Sequence, residues 1–200
     1  MVLSMFFRRN VAPVAWVVVF LGNPGLRYEN TRHNAGFMTA DAMAKELGIK
    51  INRAKFNALT VVTKLGGEQV LMLKPQSYMN LSGNSVRQAM KFYKLPLDNV
   101  IVVSDDVSLP TGKLRVRRRG SAGGHNGLRD IIAKCGGEGF SRVRIGVDAP
   151  PHEDYDMADW VLSKLSANDK KLISDATLRA AAAVEMIIMR GAEHTMAEFN

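Results

Sequence analysis

The chain has 200 residues, 46% of them apolar, which is enough for one domain with a substantial core, and it shows no internal repeat or low-complexity tract. Its formal net charge of +8 favours an acidic partner, and its single cysteine, Cys135, excludes an internal disulfide and fits a reducing cytoplasm. The four histidines, at 33, 125, 152 and 194, stand at no short metal-ligand spacing from one another or from Cys135, so no metal site is expected.

Two arginines and an apolar stretch near the N-terminus imitate an export signal. That stretch runs straight into Gly22, Asn23 and Pro24, and cleaving it would remove the first core strand. Residues 1–14 are therefore expected to be an extension that need not be ordered, followed by one domain over 15–200, with no membrane association.

Val17 to Leu21 is a short apolar run rich in β-branched residues, the signature of a strand buried on both faces, and Asn23, Pro24 and Gly25 end it. Asn34 to Leu47 carries Phe37, Met38, Ala42 and Leu47 at helical spacing with Gly48 as C-cap, which sets His33 at a helix N-terminus. Phe56 to Leu65 and Gln69 to Leu73, joined by Gly66 and Gly67, read as a hairpin. Ser82 is placed to cap a helix bearing Val86, Met90 and Tyr93. Asn99 to Val103 reads as a buried strand that delivers Asp105 at its carboxyl end. The arginine-bearing strand Lys113 to Arg118 leads through Gly120, Gly123 and Gly124 into a helix from Asn126 to Cys135. Leu128, Ile131 and Ile132 form the apolar stripe of that helix and assign Cys135 to packing. Phe140 to Val147 is a further strand, and Asn168 to Arg190 an alanine-rich helix with Leu172, Ala176, Leu178, Ala182 and Ile187 as packing positions. The pattern predicts an α/β, single-domain, three-layer fold whose mixed, mostly parallel twisted β-sheet is flanked by helices. Ligands gather beyond the carboxyl ends of strands in such sheets, where Asn23 and Asp105 both fall.

Five polar strings carry the chemistry: LGNPG with Asn23, TRHNAG with His33, MNLSG with Asn80, SDDVSLP with Asp105 and GGHNG with Asn126. One base, one acid to hold it and several amides, with no candidate nucleophile or metal cluster beside them, suggest water as the attacking group, and the absence of a serine elbow of the G-x-S-x-G type argues against a small-molecule esterase or phosphorylase-like enzyme. Neutral imidazole can take the water's proton near neutral pH, and a carboxylate on the other ring nitrogen fixes the tautomer. Asparagines both donate and accept, so they can grip peptide groups without reading side chains. Each residue also has a plain structural use. His33 could cap its helix, Asp105 could cap a turn with Asp106, Asn80 could cap a loop, and Asn23 and Asn126 could serve turns. Arg115, Arg117, Arg118, Arg119, Arg142 and Arg144 suit phosphate oxygens or a solvated strand face, and the glycine-rich loop beside them favours RNA.

In this order, and over Val17 to Val161, the five strings resemble bacterial peptidyl-tRNA hydrolases, which cut the ester between a stalled peptide and its tRNA. The resemblance implies that His33 is the catalytic base, that Asp105 orients it and that Asn23 completes the catalytic set. It places Tyr28, Met79, Asn80, His125 and Asn126 at substrate contacts, and Arg117 and Arg144, with Arg115 beside them, at a clamp for tRNA phosphate. It further implies peptidyl-tRNA as the partner, no cofactor or metal, and a cytoplasmic monomer. The rival within the same fold is a non-catalytic RNA-binding or splicing relative, against which the intact His33, Asp105 and asparagines argue. Three positions depart from the family pattern. Phe20 replaces a glycine and demands a pocket. Glu153, Asp154, Asp156 and Asp159 make the lid segment acidic, which would repel phosphate and turn the lid towards the peptide side or solvent. Ser108 replaces an acidic residue and is expected to alter loop hydrogen bonding, not chemistry.

Overall fold

The computed structural model describes residues 12–200, so the expected extension lies mostly outside the described residues. The elements in chain order are β1 (Trp16–Phe20), α1 (Ala35–Glu46), β2 (Arg53–Lys55), β3 (Ala58–Leu65), β4 (Glu68–Pro75), α2 (Ser82–Tyr93), β5 (Val100–Asp106), β6 (Leu114–Arg117), α3 (Asn126–Cys135), β7 (Ser141–Gly146), α4 (Met157–Leu162), α5 (Ala167–Arg190) and α6 (Ala192–Phe199). One seven-stranded sheet runs in the order β2-β3-β4-β1-β5-β7-β6. Its centre, β4-β1-β5-β7, is parallel, and β2, β3 and β6 pair antiparallel at the edges.

Alternation along the central strands builds two cores. Val18 and Phe20 of β1 pack with α1 and α5, whereas Val17, Val19 and Leu21 face α2 and α3. The sheet is thus the middle of three layers, as the apolar runs predict. Phe20 is fully enclosed on the α1 side, so the pocket its ring demands exists. Burying such a ring contributes about 1.5–3 kcal/mol.

Four details differ from the expectations. Phe56 and Asn57 are not strand residues. Both have positive φ (60° and 52°) and form the two-residue turn between β2 and β3, where Lys55 pairs with Ala58. Phe56 is held there by aromatic contacts with Phe92 and Tyr93. Ser82 does not cap α2: it is the first helical residue, and its hydroxyl donates to the Met79 carbonyl at 2.8 Å. The next N–H, of Gly83, donates instead to Asp130 of α3 at 2.8 Å, so the cap is supplied across the layer. Along α5 the buried stripe is Ile173, Ala176, Ala180, Val184 and Ile187, while Leu172, Leu178 and Ala182 face outward. Small residues turn inward because α5 lies against α1. Finally, α4 and α6 have no counterpart among the expected elements.

Candidate active site

A cavity of about 500 Å³ opens beyond the carboxyl ends of β1, β5 and β7, lined by Asn23, His33, Met79, Asn80, Asp105, His125, Asn126 and Arg144 among others. His33 reaches it because α1 begins hard against the sheet. The Phe37 N–H donates to the Leu21 carbonyl, and Leu21 donates in turn to Val103 of β5. Gly36 makes this approach possible, since a β-carbon there would fall 2.4 Å from the Leu21 oxygen and 2.6 Å from the Val103 oxygen. His33 is thereby brought over Asp105, with Nδ1 2.9 Å from both carboxylate oxygens.

A second imidazole meets the same carboxylate. His125 Nε2 lies 3.1 Å from Asp105 Oδ1, while its Nδ1 accepts the Gly127 and Leu128 N–H groups and caps α3. Accepting at Nδ1 puts the His125 proton on Nε2, so both rings donate to Asp105 and His33 Nε2 keeps its lone pair. Burial opposes ionisation of Asp105, yet the two histidines hold its carboxyl well below the usual carboxylate range. For His33 burial acts to lower the pKa, but the charge and hydrogen bond of Asp105 outweigh it and raise the pKa above 6.5. The donor atoms of His33, Asp105 and His125 lie within 4.8 Å of one another, a grouping that sequence spacing did not reveal. The ring hydrogens of both histidines are committed to Asp105, and the remaining His125 nitrogen already accepts two N–H groups.

The neighbouring Asp106 points to the other face of β5. It pairs with Arg144 at 2.8 Å and accepts from the N–H and hydroxyl of Ser108. Strand alternation therefore sets the two adjacent carboxylates on different partners, and Ser108 supplies two of the loop's hydrogen bonds to Asp106. Asn23 is buried; its Oδ1 accepts the Met79 N–H at 2.9 Å, which leaves its amide NH₂ as the group available at the cavity wall. Asn34 holds Asn23 from behind through two bonds to its backbone. Met79 is buried, whereas Asn80 and Asn126 are exposed at the rim. Tyr28 lies under Arg27 and is not among the cavity-lining residues.

The β6–β7 register sets Arg115 opposite Arg144 and Arg117 opposite Arg142, so four guanidinium groups share one sheet face. Arg142 is buried over the Phe140 ring and burial lowers its pKa to about 10, whereas Arg115 and Arg117 are half-buried with no carboxylate partner among the described residues.

The sequence profile of the family described as peptidyl-tRNA hydrolase matches residues 17–200. The chain belongs to this family. It is 51% identical to the peptidyl-tRNA hydrolase of Caldanaerobacter subterraneus subsp. tengcongensis over 92% of its own length and 99% of that protein. It is 47% identical to that of Lacticaseibacillus casei over 84% and 90%. The crystal structure of peptidyl-tRNA hydrolase from Acinetobacter baumannii superposes with a TM-score of 0.87 at 33% identity, covering 95% of this chain and 97% of that one.

In this family member α4, at the end of the acidic segment, forms one wall of the cavity. Met157, Ala158, Val161 and Leu162 of α4 line it, and Glu153, Asp154, Asp156 and Asp159 are exposed. Arg32, beside His33, anchors the lid: it donates to Ser163 Oγ and the Lys164 carbonyl, pairs with Asp169 and lies 3.7 Å under the Trp160 ring. Sequence reasoning missed Arg32 and Asn34, although both stand in TRHNAG, because their partners lie 11 to 137 residues away. Among the described residues no helix is long and apolar enough to cross a membrane.

Proposed function

We propose that this chain hydrolyses the ester between peptide and tRNA in peptidyl-tRNA, with His33 activating the attacking water. The observation that carries the roles is the His33–Asp105 pair at 2.9 Å, which leaves His33 Nε2 as the basic atom at the cavity. Nε2 takes a proton from water as its oxygen bonds to the ester carbon, and Asp105 stabilises the imidazolium that forms. The carbonyl oxygen gains charge, and the Asn23 NH₂, fixed by its bond to Met79, is positioned to donate to it. Collapse of the tetrahedral intermediate breaks the bond to the ribose oxygen, which receives the proton from His33. Met79, Asn80, Asn126 and the apolar face of α4 surround the acyl group. His125 acts through Asp105 instead of through substrate. Arg117, Arg144 and Arg115 hold tRNA phosphates, a contact that positions without reading sequence.

Family membership supports the reaction, and the geometry supports the assignment of roles. The single cysteine and the family resemblance support a cytoplasmic monomer, and the committed histidine lone pair supports catalysis without metal. The test is incubation with N-blocked and with free aminoacyl-tRNA, following acyl release. Cleavage of the blocked substrate alone is expected, with His33→Ala lowering the rate by about 10²–10⁴-fold while tRNA binding persists. Normal turnover by His33→Ala would remove the base assignment.

A further inference from the structure

A second cavity of about 460 Å³ shares Asn23 with the first and is lined by Pro24, Leu26, Phe37, Leu59 and Gln76. Its position in the sheet order gives it meaning. The cationic face belongs to β6 and β7, the reacting pair stands between β1 and β5, and the second cavity lies beyond the ends of β1, β4 and β3. RNA held on the β6 side leaves the opposite side for the acyl chain, and there the two cavities meet at Asn23. We propose that this second cavity is a subsite for the nascent peptide, receiving the residues upstream of the one esterified to tRNA.

Its chemistry suits a polypeptide of varied sequence. The walls are apolar at Leu26, Phe37 and Leu59 and carry an amide at Gln76, while the cation within, Lys74, is already paired with Asp41 and stacked on Phe37. Asn23 forms the shared wall, so a chain leaving the ester passes directly over its amide. From β5, which carries Asp105, two strand spacings lead across β1 to β4 at the middle of this cavity, roughly 10 Å, or about three residues of extended peptide. The subsite therefore takes the second to fourth residues before the ester, and a substrate with one amino acid cannot reach it.

The inference rests on the ester-hydrolase reading, and substrates of two lengths separate the two. One tRNA is charged with N-acetyl-alanine or with N-acetyl-tetra-alanine, and kcat/KM is measured for wild type, Leu26→Asp and Gln76→Trp. Both positions are exposed, so the fold is not at stake, and unchanged thermal unfolding checks this. For the tetra-alanine substrate each variant is expected to lose about fivefold in kcat/KM, mainly through KM, Leu26→Asp by removing an apolar contact and Gln76→Trp by filling the space the peptide would occupy. The single-alanine substrate should respond less than about twofold. Equal losses on both substrates, or none on the longer one, would overturn the subsite while leaving the hydrolase intact. Failure of the wild type to cleave either substrate would overturn the reaction and the subsite together.

Discussion

The proposed role of His33 as a base depends on which ring nitrogen is occupied. Nδ1 is committed to Asp105, and Asp105 stays ionised because His33 and His125 both face it. The base must be neutral to act, and its pKa is raised above 6.5, so kcat/KM should fall as pH drops through a value above that of free imidazole. In Asp105→Asn the attraction that raises the pKa is gone while burial, which lowers it, remains. The acidic limb should then move to lower pH, and the plateau should fall by about 10²–10⁴-fold because the imidazolium is no longer stabilised. A limb that stays in place when Asp105 is replaced would mean that some other group titrates.

Elements hold these side chains in register, and α1 does so through a glycine. A β-carbon at Gly36 would enter the backbone of Leu21 and Val103, so Gly36→Ala must push α1 off the sheet and carry His33 away from Asp105. We expect a loss of about 1–3 kcal/mol, or roughly 2–12 °C in thermal unfolding, together with a reduced kcat. The lid has its own anchor in Arg32. Arg32→Met removes the ties to Ser163, Lys164 and Asp169 without touching a reacting group, so KM should rise more than kcat falls, and the fluorescence of Trp160 should change as the guanidinium leaves its ring. An unaltered KM would show that α4 does not need this anchor. The same elements explain what could be read beforehand. Strands β1 and β5 are continuous apolar runs, and α3 starts at GGHNG and ends at a glycine, so both pattern and punctuation were visible. The three residues of β2 and the six of α4 are mostly exposed and carry no periodic signal by themselves. Within the site, the polar strings marked His33, Asp105 and the asparagines. The grip of Asn34 on Asn23, the second histidine on Asp105 and the division of labour between Asp105 and Asp106 exist only once distant segments meet.

Over the whole molecule the charge is divided. The pairing of β6 with β7 gathers Arg115, Arg117, Arg142 and Arg144 on one sheet face, while α4 and the segment before it present Glu153, Asp154, Asp156 and Asp159 to solvent. Under the proposed reading, an RNA approaching the cavity is drawn to the arginines and repelled from this acidic segment. Arg117 is the cleanest probe of the attractive half, being half-buried, outside the cavity and without a carboxylate partner among the described residues. Arg117→Ala should weaken tRNA binding and reduce the slope of log affinity against log salt by about 0.7–0.9, one released counterion, while single-turnover cleavage of bound substrate stays unchanged. The repulsive half is tested by Glu153→Gln with Asp154→Asn. Both side chains are exposed, so their effect travels through solvent and must decay over a Debye length of about 8–10 Å at physiological salt. The double variant should bind tRNA more tightly at low ionic strength and match the wild type as salt screens the lid. Tighter binding that persists at high salt would mean that these carboxylates contact the RNA directly and do not act as a distant field.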